Sequence, residues 1–316
     1  MPAPFVLDCD TGIDDALAIL YLLSDPAAEV LAITSVFGNA SVQQTAANTL
    51  GLLELVGRSE IPVSIGADHP LTMPFGGGAH LVHGSNGVGG VVLPTPTAAP
   101  TGEHAVDTIV RLARENPGQL NLIAVAPLTN IALALRAEPR LPELVGSLTI
   151  MGGAALAPGN VSPVAEANIR DDPEAAAEVF AADWKITLVP LDVTMTHLLE
   201  ESDRQQLIDS GRPVGAVLAE MLSHYFDFYT EVFGRRCSAL HDPLAVAIAT
   251  GSVRPALAPW VPVVVDATQG PGRGQTIADM RGKYRNYPPR TTRTCRVVLT
   301  LDAPFTPTLM SRLHQF

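Results

Sequence analysis

The chain has 316 residues, with 20 Lys plus Arg against 32 Asp plus Glu and a formal charge of −12. At 47% hydrophobic and 16% charged residues it is too apolar to stay disordered. Its lysines are Lys185 and Lys283 alone, which excludes nucleic acid as a partner because phosphate binding needs clustered cations.

Cys9, Cys237 and Cys295 stand far apart, in no metal-like spacing and in an odd number, so no disulfide framework is expected. The first residues carry no basic segment before an apolar one, and no window approaches the roughly 20 apolar residues of a membrane span. These features predict a cytoplasmic chain with no membrane contact.

Taken in order, Phe5-Val-Leu reads as a strand, Ala16–Leu23 as a helix and Val30–Phe37 as a second strand. A helix around Gln43–Val56 precedes a strand at Pro62–Ile65. Further strands are expected at Leu120–Val125, Ser147–Ile150 and Lys185–Leu191, each beside a helix-like segment. Continuous apolar runs alternating with helices imply strands buried on both faces. The expected class is therefore α/β, a mainly parallel, Rossmann-like sheet flanked by helices, with residues 1–316 forming a single domain. Two stretches rich in Gly and Pro, 66–102 and the basic Gly270–Arg293, read as long loops. Strand-like Val261–Val265 and Cys295–Leu301 flank the second.

The segment Asp8-Cys-Asp10-Thr-Gly12-Ile-Asp14-Asp15 puts four carboxylates where a strand ends and a helix begins. Helix capping accounts for one or two of them. Four together repel one another and raise their own pKa values unless a cation separates them. Oxygen donors without His or Cys nearby point to Ca²⁺ or Mg²⁺ rather than zinc. A further acid stands in His241-Asp242-Pro243, where Pro at the first helical position makes Asp242 an expected N-cap.

The aspartate segment resembles the N-terminal signature of the inosine–uridine-preferring nucleoside hydrolases. The resemblance continues in order through Gly38-Asn39, Val125–Asn130, Met151-Gly-Gly153, Asn160–Asp172 and His241-Asp242-Pro243. It implies the nucleoside hydrolase fold and hydrolysis of ribonucleosides to ribose and free base, in purine or pyrimidine salvage. It also implies a Ca²⁺ ion held by Asp10, Asp15, Asp242 and the backbone carbonyl of Val125. Asp14, Asn39, Asn160, Glu166 and Asn168 would grip the ribose hydroxyls, with Met151 lining the sugar pocket; alternation toward one face of an extended segment is expected to put Glu166 and Asn168 in the same pocket. Relatives of this kind imply a homo-oligomer, a dimer or tetramer.

Cleaving an N-glycosidic bond develops cationic character on the sugar and needs a positioned water, a stabilised cation and help for the departing base. Asp10 is expected to bind the ion and accept the water's proton. His241 is the candidate acid, being able to supply a proton near neutrality, and His83 in the first long loop is a second pocket residue. His69, His104 and His314 read as surface residues. In His224–Phe233, Tyr225 and Tyr229 share one helical face, and the aromatic stripe reads as core packing or as Tyr and Phe side chains on which a nucleobase stacks. The chain departs from many relatives at Ala167, where they carry a larger and often aromatic residue; the small side chain would widen the pocket near the sugar 5′ end or the base.

Two other readings fit parts of the sequence. Asp8 and Asp10 suit a haloacid-dehalogenase-type Mg²⁺ phosphatase, but Lys185 enters its strand at the wrong end to bind phosphate, and Lys283 lies in a late loop. A nucleoside-binding protein without turnover would keep the same pocket.

Overall fold

The computed structural model describes residues 2–287, 289, 291 and 294–316. Arg290 and Arg293, named above in the basic loop, lie outside them. In chain order the strands are β1 Ala3–Cys9, β2 Ala28–Ser35, β3 Val63–Ile65, β4 Asn121–Ala124, β5 Ser147–Met151, β6 Ile186–Val189, β7 Leu198–Glu200, β8 Cys237–Ala239, β9 Pro255–Leu257, β10 Trp260–Val261, β11 Val263–Val265, β12 Thr276–Ala278, β13 Cys295–Val297 and β14 Thr300–Leu301.

Eight of them form one sheet in the order β10-β13-β6-β5-β4-β1-β2-β3. Every pairing within it is parallel except β10 with β13. This is the mainly parallel α/β sheet that the apolar runs predict. Val6 and Leu7 on β1 are wholly buried on opposite faces, in two different apolar clusters, as a central strand covered by helices on both sides requires. Burying each such side chain stabilises the fold by about 1.5–3 kcal/mol.

The order reverses direction at β1, whose neighbours are β2 on one side and β4 on the other. Parallel sheets open a crevice beyond the carboxyl ends of their strands at such a switch point. Asp10–Asp15 leave β1 there and Val125 leaves β4, so the topology itself brings these segments together.

Two sequence expectations are refined. Val261–Val265 is not one strand: Pro262 offers no N–H to a ladder, and the chain changes partners there, β10 pairing with β13 and β11 with β12. Gly270–Arg293 is not wholly loop, since it contains β12 and a short helix, Gly282–Arg285. The first long loop likewise carries a helical turn, His80–His83, which sets His83 beside the aspartate segment. Among the described residues no helix is long and apolar enough to cross a membrane.

Candidate active site

The helix Ile13–Leu23 begins directly after β1, and ten of its eleven residues are buried. Asp14 and Asp15 are therefore carried into the interior on its first turn. Asp15 is the fixed point of the cluster. Its Oδ1 accepts from the Asp10 amide at 3.2 Å, and its Oδ2 accepts from the Gly12 amide at 2.8 Å and from Asn39 Nδ2 at 3.1 Å. Asp10 Oδ2 accepts from the Asn39 amide at 2.7 Å, while Asp10 Oδ1 is buried without a partner. Asp14 Oδ2 accepts from the Tyr225 hydroxyl at 3.1 Å.

Close packing at two glycines makes this possible. A Cβ on Gly38 would lie 1.9 Å from Asp10 Oδ2, and one on Gly12 would lie 2.6 Å from both Asn39 Nδ2 and His83 Nδ1. Both positions lack a side chain because functional atoms fill the space.

Asp242 enters on the helix Asp242–Ala249, which follows β8 and packs against the helix Ile13–Leu23 and strands β4 and β5. The N-cap of that helix is His241, so Asp242 is its first residue and not its cap, a shift of one position from the sequence expectation. Asp14, Asp15 and Asp242 each present an oxygen within 4.8 Å of the others. Asp10 falls outside that trio, tied to it by its amide and aimed by Asn39. The Val125 carbonyl accepts from Asn168 Nδ2 at 3.1 Å, and the same amide reaches the Met151 carbonyl at 3.2 Å.

Glu166 and Asn168 do not lie on an extended segment. Glu166 caps the short helix Ala167–Asp171: its Oε1 accepts from the Asn168 amide, and its Oε2 accepts from the Gly153 and Ile169 amides. The two side chains still share one pocket, because the cap turns the chain across it. Asn160 Oδ1 accepts from the Ala167 amide at 3.1 Å and braces the same turn.

Burial pushes the carboxyl groups up. Asp15 and Glu166 are raised to about 7, and Asp10 and Asp242 well above the ordinary range, burial first and the neighbouring carboxylates next. Asp14 is raised by burial as well, with His241 opposing. Among the described residues no Lys or Arg pairs with these acids; besides His241, His83 comes near, its Nδ1 3.9 Å from Asp14 Oδ1. That nitrogen accepts from the Ile13 amide at 3.1 Å, and burial holds the ring's pKa down to about 3, so His83 is neutral. Uncompensated buried acids, an orphaned oxygen on Asp10 and an all-oxygen donor set fit a hard divalent cation.

Above the acids is a cavity of about 450 Å³, lined by Asp14, Asn39, His83, Val125, Met151, Asn160, Glu166, Asn168, Tyr225, Tyr229, His241 and Asp242 among others. Asp10 and Asp15 lie directly behind this lining, in contact with it through Asn39. Tyr225 and Tyr229 belong to the helix Pro213–Phe233 and meet edge to face, their centroids 4.9 Å apart. They are both core and pocket wall, which joins the two readings of that stripe. Tyr229 Oη is 2.6 Å from His241 Nε2, and Thr194 Oγ1 is 2.8 Å from His241 Nδ1.

Sequence reasoning gave no role to Thr194 or Asn130, and named Phe228 only within the aromatic segment. Thr194 follows β6 at the carboxyl edge, a position that could have drawn notice. Phe228 lines the cavity one residue before Tyr229. Asn130 donates to Asp8 Oδ1 at 2.8 Å, as Thr34 does at 2.6 Å, so Asp8, near the end of β1, ties that strand to its neighbours and does not line the cavity. Lys185 sits at the amino end of β6, remote from the acids, as expected. His69 and His104 are exposed, and His104 also caps the helix Ala105–Glu115.

Residues 5–306 match the family described as inosine-uridine preferring nucleoside hydrolase. The chain is 37% identical over 283 residues to uridine nucleosidase 1 of Arabidopsis thaliana, covering 89% of this chain and 83% of that protein. It is 38% identical over 282 residues to the pyrimidine-specific ribonucleoside hydrolase RihA of Salmonella arizonae, covering 88% and 89%. The solved structure of a purine-preferring ribonucleoside hydrolase from Gardnerella vaginalis superposes with a TM-score of 0.89 at 34% identity, covering 99% of this chain and 98% of that one.

Proposed function

The chain belongs to the inosine-uridine preferring nucleoside hydrolase family and is a ribonucleoside N-glycosyl hydrolase, and on that premise we propose that residues 1–316 act as one catalytic domain that uses Ca²⁺ to cleave ribonucleosides to ribose and free base. The observation that carries this reading is the buried acid cluster beneath a cavity walled on another side by Tyr225 and Tyr229. A nucleoside is complementary to that division: its hydroxyls donate to carboxylates, and its flat base packs on rings.

Asp10, Asp15, Asp242 and the Val125 carbonyl would hold the ion, which when bound orients a sugar diol and acidifies water. Asp10 accepts the water's proton. Its Oδ2 is pinned by the Asn39 amide, so Oδ1 is the oxygen left to act. Asp14, braced by Tyr225, and Asn168 take the sugar hydroxyls, with Asn39, Asn160 and Met151 completing the wall. Glu166 already receives three amides, so it contributes chiefly negative charge, which favours the cation developing on the sugar.

At the base end, Tyr229 stands against His241 and bridges it to the leaving group. Burial disfavours the imidazolium of His241 and the Asp14 charge favours it. The acid form donates from Nε2 to the Tyr229 oxygen as the tyrosine hydroxyl donates to the base. His83, held neutral, offers Nε2–H to substrate. Tyr229→Phe is expected to lower kcat for natural nucleosides by about 100-fold. It should spare p-nitrophenyl riboside, whose leaving group departs without a proton; equal losses on both would remove the relay.

We propose that the enzyme serves nucleoside salvage, as a cytoplasmic homo-oligomer. Relatives differ in the bases their names record, and the cavity walls are common ground for purines and pyrimidines. A panel of inosine, uridine, cytidine and p-nitrophenyl phosphate, with chelator and with Ca²⁺ restored, tests the reading. Released ribose that depends on Ca²⁺ is expected. Released phosphate would point to the phosphatase, and binding without product to a receptor.

A further inference from the structure

The nucleoside cavity does not end at the sugar. A second chamber of about 280 Å³ adjoins it, and the two share Ala79, Val161 and Ala167 as lining. The orientation of a bound nucleoside follows from the site as read above, on which this inference rests. With the diol on the acids and the base against Tyr225 and Tyr229, C4′ and its C5′ substituent lie across the ring from the base. That end faces Asn160 and, next to it through the Ala167 amide, Ala167 of the shared wall. Ala167 presents only a methyl group there.

The chamber beyond is mainly apolar. Phe37 and Phe75 meet edge to face with centroids 5.6 Å apart, and Met73 and Pro74 continue the surface. Its charged groups leave no excess positive charge. Arg273 is committed to Glu174 through two bonds of 2.8 and 2.9 Å and to the Ala267 carbonyl at 2.8 Å. Arg170 has the Asp171 carboxyl within electrostatic reach beside it. Gly38, a chamber residue, is backed by Asp10, so an acid and not a base stands behind that part of the wall. Sulfur beside Met and aromatic side chains is favourable.

We propose that the enzyme hydrolyses ribonucleosides whose 5′ carbon bears an uncharged thioether, and that this chamber receives the thioether. The reaction is the one already described: the C1′–N bond breaks, water supplies the hydroxyl to C1′ and the base gains the proton. The C5′–S bond is untouched, and the product is a 5′-thioether of ribose.

The test compares uridine and inosine with their 5′-deoxy-5′-methylthio analogues and their 5′-monophosphates, in the Ca²⁺-loaded wild type and in Phe75→Asp and Met73→Asp. Met73 is half exposed, so its variant should fold even if Phe75→Asp does not. The thioethers should be cleaved with kcat/KM within about tenfold of the parents, and each variant should lower that value about tenfold or more for thioethers only. Cleavage of the parents with thioethers about 100-fold slower overturns the proposal. Equal losses on parents and thioethers in both variants overturn it too, as does preference for the monophosphates. If no parent nucleoside is cleaved, the nucleosidase reading falls first and this one with it.

Discussion

Asp10→Asn is expected to lower kcat by ~10³-fold or more while the protein stays folded. The amide is nearly isosteric and keeps an oxygen to accept from the Asn39 amide, so the packing around Gly38 need not move. In the metal-free protein burial and Asp15 push the Asp10 carboxyl pKa up, the direction that favours a neutral group at this position. What the variant lacks is the ionised state, needed both to hold a cation and to accept a proton. Steady-state rates beside circular dichroism check this; near wild-type turnover in a folded variant contradicts it.

Metal-free protein should lose stability as pH rises from about 4 to about 7, and Ca²⁺ should restore it most strongly above that window. Asp8, Asp15 and Glu166 are raised to about 7 by burial, against ordinary values of 3.8, 3.8 and 4.5. A carboxyl group with a raised folded pKa binds more protons in the native state than in the unfolded one. Its contribution is intact below the unfolded value and is lost as pH climbs through the folded value. Surface acids shifted the other way, such as Asp279 at about 2, titrate below this window. Ca²⁺ selects the ionised forms, so its stabilisation grows with pH, reaching ~4 kcal/mol at a thousandfold excess over Kd. Melting temperatures across pH with and without Ca²⁺ measure both effects; a flat metal-free profile contradicts the account.

The sheet was legible because β1, β2 and β4 to β6 are continuous apolar runs, and a buried parallel strand has no other way to be written. The Asp8–Asp15 segment was legible because no helix cap needs four acids. Register and partner exchange were not: the break at Pro262 depends on which strand Val263–Val265 meets, a matter of tertiary context. Nor was the capping role of Glu166, because a Glu two residues before an Asn reads equally as strand alternation or as a helix start. Contacts across long separations, such as Thr194 with His241 or Tyr225 with Asp14, have no local signal at all. They arise because several strand ends open on one crevice.

The most direct test is a calorimetric titration of the metal-free chain with Ca²⁺. One ion should bind per chain, with affinity reduced about 100-fold or more in Asp15→Asn and in Asp242→Asn. A chain that takes up no ion, or variants that bind as tightly as the parent, would contradict the claim that these distant acids serve a common cation.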